Sequence, residues 1–334
     1  MKASRMIAAM SALACIVLAS SEASAVCNIN GAGMTMNPGT ASTGTYTAPT
    51  APTSQAISVT ITGTYTTNAT GGTCTLALSF QRAAFPPATM ANTGGGGATL
   101  PYTITSAAGG GNTLLFTGSS VSLANVLQHS FASAGNNITN RAFTANLTIY
   151  VLMQPNSPQA AGSYSDNLTA WVFNLASGTS VFSRGFTVTG TVNKVCTIGG
   201  VARPTADSAN IPVSVAGAVG TSVISRSYAS VACNTPSNVQ ITSQNGAVRN
   251  SGTPPSGFTN LINYSSSATF SGATATLNTA TTATATGAEA GAAVSTTGAT
   301  PSGTMSVTIT PQANALRLLA GSYSDVMTIT ITPQ

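Results

Sequence analysis

The pentapeptide Gly162-Ser163-Tyr164-Ser165-Asp166 returns letter for letter as Gly321-Ser322-Tyr323-Ser324-Asp325, and the runs around it decide the fold. Before the first copy stands Leu147-Thr148-Ile149-Tyr150-Val151; after it comes Leu168-Thr169-Ala170-Trp171-Val172-Phe173. Before the second stands Met305-Ser306-Val307-Thr308-Ile309; after it comes Met327-Thr328-Ile329-Thr330-Ile331. A period of two in Val, Ile, Thr and aromatic residues is the pattern of a half-buried strand, and Gly with Ser between such runs marks a turn. The chain therefore reads as two copies of strand–turn–strand, 159 residues apart (321 minus 162), in a tandem of related β-domains.

Beyond these paired runs the two copies differ. After the first comes a loop, 174–184, and then one more alternating run, Phe186-Thr187-Val188-Thr189-Gly190-Thr191-Val192. After the second, the sequence reaches Gln334 without such a run. The expectation is a complete first domain, 26–192, and a second domain, 193–334, lacking its last strand.

A length of 334 residues suits two domains of roughly 150 residues each. Only 4% of residues are charged, and the many Thr-rich alternating runs favour strands. The net charge of +5 comes from scattered single residues such as Arg82, Arg141, Lys194 and Arg249. Without a basic cluster interleaved with aromatics, nucleic acid is not an expected partner.

Lys2 and Arg5 precede an apolar run, 6–19, and Ala23-Ser24-Ala25 supplies small residues where a signal peptidase cuts. Residues 1–25 thus read as a secretory signal peptide. A lipoprotein signal ending at Cys15 fits less well, because Ala12 stands three residues before it. Four cysteines remain beyond the signal: Cys27, Cys74, Cys196 and Cys233. An even number in an exported chain points to disulfides. Three pairings are open, and the repeat favours Cys27 with Cys74 and Cys196 with Cys233, one bridge per domain. Each would contribute about 4 kcal/mol in the chain-entropy model. Zinc is the alternative, but the chain has no Cys-x-x-Cys and its single histidine is His129.

In the first domain, strands are expected at 57–61, 74–80, 100–104 and 114–116, and a long one from near Phe143 beyond Asn136-Asn137; turns are expected at 66–72 and 94–97. Many short antiparallel strands with Gly-rich turns indicate an immunoglobulin-like sandwich, though a barrel would read similarly. In the second domain, strands are expected at 224–233 and 239–242. The Ala/Thr/Gly stretch 268–300 reads as weak strands with long loops.

These residues resemble a known family. The cysteine opening each domain, the paired Gly-Ser-Tyr-Ser-Asp motifs, and Val231-Ala232-Cys233 followed by Val239-Gln240-Ile241-Thr242-Ser243-Gln244-Asn245-Gly246 look like spore coat protein U domains. Such domains form subunits of the archaic (Csu-type) chaperone–usher pili of Gram-negative bacteria. The resemblance implies pilin-type sandwiches completed first by a periplasmic chaperone and then by the N-terminal strand of a neighbouring subunit. It further implies passage through an outer-membrane usher and, for a two-domain member, a place at the pilus tip gripping abiotic or host surfaces, with a role in biofilm formation. The residues lead to the same expectation independently, since only Val26 lies between the expected cleavage point and Cys27. A subunit that accepts a strand and offers none caps a polymer.

For the pentapeptides the structural reading is that Gly162 and Gly321 supply the turn, Tyr164 and Tyr323 anchor a corner, and Asp166 and Asp325 bind turn amides. Catalysis finds poor material. The carboxyls beyond the signal are Asp166, Asp207, Glu289 and Asp325, His129 has no nucleophile motif around it, and 94–97 and 109–111 lack the Lys of a phosphate loop. No enzyme and no cofactor is expected. Adhesion is expected at loops near 66–72, 105–112, 134–140 and 174–184. The last of these carries Leu175, Val181 and Phe182, which are either a sticky surface or, for Val181 and Phe182, the buried start of the next strand. The apolar 85–90 loop falls at the linker end. A structural coat protein without adhesive role and a secreted enzyme are the rival readings.

Overall fold

The computed structural model describes residues 27–46, 53–68, 73–82, 88–95, 97–117, 123, 125–132, 138–154, 159–199, 207–279 and 287–334. The expected signal segment, Val26, Phe85-Pro86-Pro87, Asn136-Asn137 and most of the 66–72 turn lie outside the described residues. Within them every regular element is a β-strand, so the fold is all-β.

The first twelve strands are β1 (Cys27–Asn37), β2 (Thr40–Tyr46), β3 (Thr53–Thr67), β4 (Thr73–Arg82), β5 (Thr89–Asn92), β6 (Thr99–Ala107), β7 (Gly110–Thr113), β8 (Leu115–Thr117), β9 (Leu127–Ala132), β10 (Ile138–Met153), β11 (Gly162–Asn174) and β12 (Thr179–Val192). They form one continuous hydrogen-bonded system. One face carries β1, β3, β10 and β6; β5 then joins β6 to the other face, where β11 lies between β4 and β12, and β12 lies between β11 and β2. Alternation places the core. Along β10, Phe143, Ala145, Leu147, Ile149, Val151 and Met153 are buried, and the residues between them are more exposed. The two faces meet in a core that includes Phe80 against Phe186, ring centroids 4.8 Å apart.

The remaining strands are β13 (Cys196–Ile198), β14 (Ile224–Cys233), β15 (Ser237–Ser243), β16 (Val248–Arg249), β17 (Phe258–Thr259), β18 (Leu261–Ile262), β19 (Tyr264–Phe270), β20 (Ala273–Asn278), β21 (Glu289–Ala290), β22 (Val294–Ser295), β23 (Thr300–Pro311), β24 (Arg317–Leu318) and β25 (Met327–Pro333). A five-stranded sheet, β13-β14-β23-β19-β20, faces a smaller one in which β15 pairs with β21, β22 and β25. Their core is separate from the first and is built from Val231, Val239, Ile241, Phe270, Met305 and Val307 with several alanines. Among the described residues no ladder joins a strand of the first twelve to one of the rest.

Three expectations are corrected. The stretch 268–300 opens with a tight hairpin: β19 and β20 pair from Ser265↔Asn278 to Phe270↔Ala273 around Ser271 (φ 48°) and Gly272 (φ 81°). Two positive φ angles at the loop match the right-handed twist of the flanking strands. Ala273, Ala275 and Leu277 face the core while Thr274 and Thr276 face solvent, so the Ala/Thr composition is itself an alternating strand pattern with small residues inside. Second, Gly162, Tyr164 and Asp166 do not form a turn. They open β11, because β12 pairs with all three on one edge and β5 pairs with Tyr164 and Ser165 on the other. Third, the loop 174–184 contracts to a four-residue turn, 175–178, since β12 begins at Thr179 rather than near Phe186.

Candidate functional site

Two strands with like sequences end up differently covered. Leu168, Ala170 and Val172 of β11 point inward and are 4%, 0% and 0% exposed. Met327, Ile329 and Ile331 of β25 stand at the same places after the second pentapeptide and pack on the second core, yet they are only half-buried. The ladders explain the difference. β11 pairs with β4 on one edge and with β12 along the whole stretch from Gly162 to Asn174 on the other. β25 pairs with β15 from Met327 to Pro333, and among the described residues its other edge carries no partner.

Beside that edge runs an open groove of about 670 Å³. Tyr323, Asp325, Met327 and Ile329 form one bank by alternation along the chain. Ile224 of β14 and Val307 and Ile309 of β23 supply apolar floor, and the far bank is the segment 207–211 with Val213. In the first twelve strands the corresponding space is filled by β12, whose Phe186, Val188 and Val192 are 1%, 0% and 2% exposed.

Each pentapeptide builds one corner. The Tyr164 hydroxyl donates to the carbonyl of Ala160 at 2.6 Å, and the Tyr323 hydroxyl donates to that of Leu319 at 2.9 Å, four residues back in both cases. This is the tyrosine-corner device of sandwich folds. The two glycines carry φ angles of 145° and 137°, and a Cβ would stand 2.6 Å from Asn92 Nδ2 at Gly162 and 2.5 Å from Asn250 Nδ2 at Gly321. Asn92 and Asn250 are a second repeated pair that the sequence reading missed. Asn92-Thr93-Gly94 and Asn250-Ser251-Gly252 share an Asn-x-Gly pattern, and each Asn Oδ1 accepts the glycine amide, at 2.8 and 2.7 Å.

The two aspartates are placed alike and neutralised differently. Asp166 accepts from the Tyr102 hydroxyl at 2.8 Å and from Arg82 Nε at 2.6 Å, an ion pair largely shielded from solvent. Asp325 accepts from the Tyr264 hydroxyl at 2.7 Å, the Ser243 hydroxyl at 2.6 Å and the amides of Asn245 and Val326. Ser243 stands where Arg82 would be: it faces Met327 in the ladder, and Arg82, one residue beyond the Gln81↔Thr169 pair, stands at the level of Leu168. Burial first, and then the hydrogen bond to Asp166, push the Tyr102 phenol above its ordinary range; burial does the same to Tyr264, with Ser243 opposing and Asp325 adding. Protonated phenols donate, and each aspartate accepts from one of them. Among the described residues no three of His, Cys, Asp and Glu gather at one point.

The cysteines join within each set of strands, Cys27 to Cys74 and Cys196 to Cys233, with Cα atoms 5.5 and 4.2 Å apart. Register brings the first bridge to the end of the sandwich remote from the β12–β13 connection. There Cys27 and Ile138 both face Thr67, Thr73 faces Ala132, and Asn174 Nδ2 donates to the Cys27 carbonyl at 2.7 Å. The 175–178 turn belongs to this end. The 105–112 loop does not, since Thr105 faces Tyr150, well along β10. Nor do Leu175, Val181 and Phe182 form an exposed tip. Val181 and Phe182 lie in β12 and pack on the main core, and Leu175 packs with Trp171 and Leu123 over Phe173. Phe131, between Tyr65 and Phe143 at 4.8 and 4.9 Å, is the aromatic feature of this end.

No family model and no curated protein matches the chain. Solved structures do. The chain is similar to a chain of the CsuC–CsuE chaperone–tip adhesion subunit pre-assembly complex from archaic chaperone–usher Csu pili of Acinetobacter baumannii, at 13% identity and a TM-score of 0.41 over 92% of this chain and 100% of that one. It is similar to the CupB6 tip adhesin of Pseudomonas aeruginosa at 9% identity and a TM-score of 0.34, covering 92% and 93%. A further match is CfaE, the adhesive subunit of the CFA/I fimbria of enterotoxigenic Escherichia coli, at 12% identity and a TM-score of 0.26, covering 89% and 93%. All are distant likenesses.

Proposed function

We propose that the chain is a tip subunit of a chaperone–usher pilus: residues 26–192 are a self-complete adhesin domain, and 193–334 are a pilin domain that accepts a β-strand from another chain. The observation that carries this reading is the contrast between β11, covered by β12, and β25, which has the same sequence pattern beside an open groove with an apolar floor and partly polar banks. An unpaired edge flanked by apolar surface is an aggregation hazard, and strand addition answers both needs: main-chain bonds satisfy the edge, and alternate side chains fill the groove. The donors are a periplasmic chaperone and then the N-terminal strand of the next subunit, with an outer-membrane usher in between, as the resemblance of the sequence to spore coat U domains implies. Export through the periplasm and adhesion to a surface by the far end of the first domain belong to the same reading, as does a part in biofilm formation.

The test appends a strand patterned on Phe186-Thr187-Val188-Thr189-Gly190-Thr191-Val192 after Gln334 through a short flexible linker. The fusion is expected to be a soluble monomer with a higher melting temperature than the parent. A control with the alternation scrambled is expected to gain nothing, because a one-residue slip turns every apolar side chain outward. Equal behaviour of fusion and control would remove the strand-accepting reading.

A further inference from the structure

The far bank of the groove is not built like its counterpart in the first domain, and this points to a device within the proposed strand-accepting site. In the first domain β2 is a strand and pairs in parallel with β12, Thr187 facing Thr40 and Val192 facing Tyr46. The segment with the same place after the first cysteine of the second domain, 207–211, makes no ladder bond among the described residues. It is pinned at its two ends instead. At one end Asp207 Oδ2 lies 3.1 Å from Arg226 Nε, the Tyr228 hydroxyl donates to the same oxygen at 3.3 Å, and Arg226 Nη2 donates to the Ser208 carbonyl at 2.7 Å. At the other, Ile211 packs on a small cluster that includes Val219, Ile262 and Leu318.

Ser208, Ala209 and Asn210 between the pins are exposed and line the groove. We infer that Asp207, Arg226 and Tyr228 form a positioning clamp that holds 207–211 extended as a ready second edge, so that an incoming strand is hydrogen-bonded on both sides, antiparallel to β25 and parallel to 207–211. The polarity is that of β12, which is antiparallel to β11 and parallel to β2. The clamp is solvent-exposed, with side chains 38% and 46% accessible, which makes it weak enough for the bank to adjust as it zips. Its effect therefore falls on the rate at which the groove captures a strand.

The inference rests on the strand-accepting reading, and the experiment separates the two. Full-length exported protein is mixed with a fluorescent synthetic peptide copying residues 184–192, and capture is followed by anisotropy for the parent, Asp207→Asn, Arg226→Gln and the exchanged pair Asp207→Arg with Arg226→Asp. The single variants are expected to capture roughly two- to fivefold more slowly at low salt, the difference is expected to vanish at high salt, and the exchanged pair is expected to recover the parent rate. Single variants that capture as fast as the parent, or an exchanged pair as slow as the singles, overturn the clamp. Failure of the parent to capture any peptide removes the strand-accepting reading itself. The clamp is then judged by amide hydrogen exchange at 208–211 in the unbound protein, which must accelerate in both single variants if the clamp holds the bank, and which overturns it by remaining unchanged.

Discussion

Tyr164 is 1% exposed, and its hydroxyl both donates to Ala160 and accepts from Gln159 Nε2 at 3.0 Å, whereas Tyr323 is half-buried beside the groove. Tyr164→Phe should therefore cost about 1–2 kcal/mol, because it leaves buried partners unsatisfied, and Tyr323→Phe distinctly less, as read by chemical denaturation of each variant. Arg82→Ala removes the cation paired with Asp166 and should cost about 2 kcal/mol by the same measurement. Tyr102 and Tyr264 also carry a pH signature. Both phenols are raised above the ordinary value of 10.0, so the stability they contribute is fully present below that value and is lost as pH rises through their higher folded values. In a spectrophotometric titration of the eight tyrosines, Tyr102 and Tyr264 should ionise only above their ordinary value, together with alkaline unfolding. Early ionisation of all eight would contradict their placement. The corner tyrosines were legible from the repeated pentapeptide. Arg82 and the Asn92/Asn250 pair were not, because they come from strands far off in sequence and the short Asn-x-Gly pattern carries little signal outside its spatial context.

At the scale of the element, the same face of one strand pattern is buried in β11, under the cover of β12, and half-open in β25. Phe186, 1% exposed and packed on Phe80, should lose about 3–5 kcal/mol on truncation to Ala. Ile329, with its side chain toward the groove, should lose about 1 kcal/mol in the unfused protein and considerably more once a strand is fused after Gln334. Thermal melts of the four proteins decide this, and an unchanged cost at Ile329 in the fusion would show that the added strand lies elsewhere. Alternation alone located β3, β4, β6, β14, β15, β23 and β25. It failed where side chains are small: Ala and Thr at every second place in β20 looked like low complexity, though a thin core against Phe270 needs alanines. It also failed where partners decide. Gly162 and Gly321 head identical pentapeptides, but only the first lies in a ladder, because only the first has β12 and β5 beside it.

At the scale of the whole molecule, the two sets of strands have separate cores and separate disulfides. Expressed apart in an oxidising compartment, 26–192 should fold and melt cooperatively, while 193–334 should be recovered mainly as aggregate unless a strand is supplied. A soluble, cooperatively melting 193–334 fragment would count against the groove as an unfinished core. β12 is also the cable between the halves: it starts at the remote turn, runs the length of the first sandwich, and leads from Val192 to Cys196 in three residues. A pull on the second half against anything held at the remote end therefore acts along β12. The bonds of the β11–β12 ladder lie across that line, so they share the load in shear instead of opening one after another. The strand that closes the first core is thus also the part placed to bear tension.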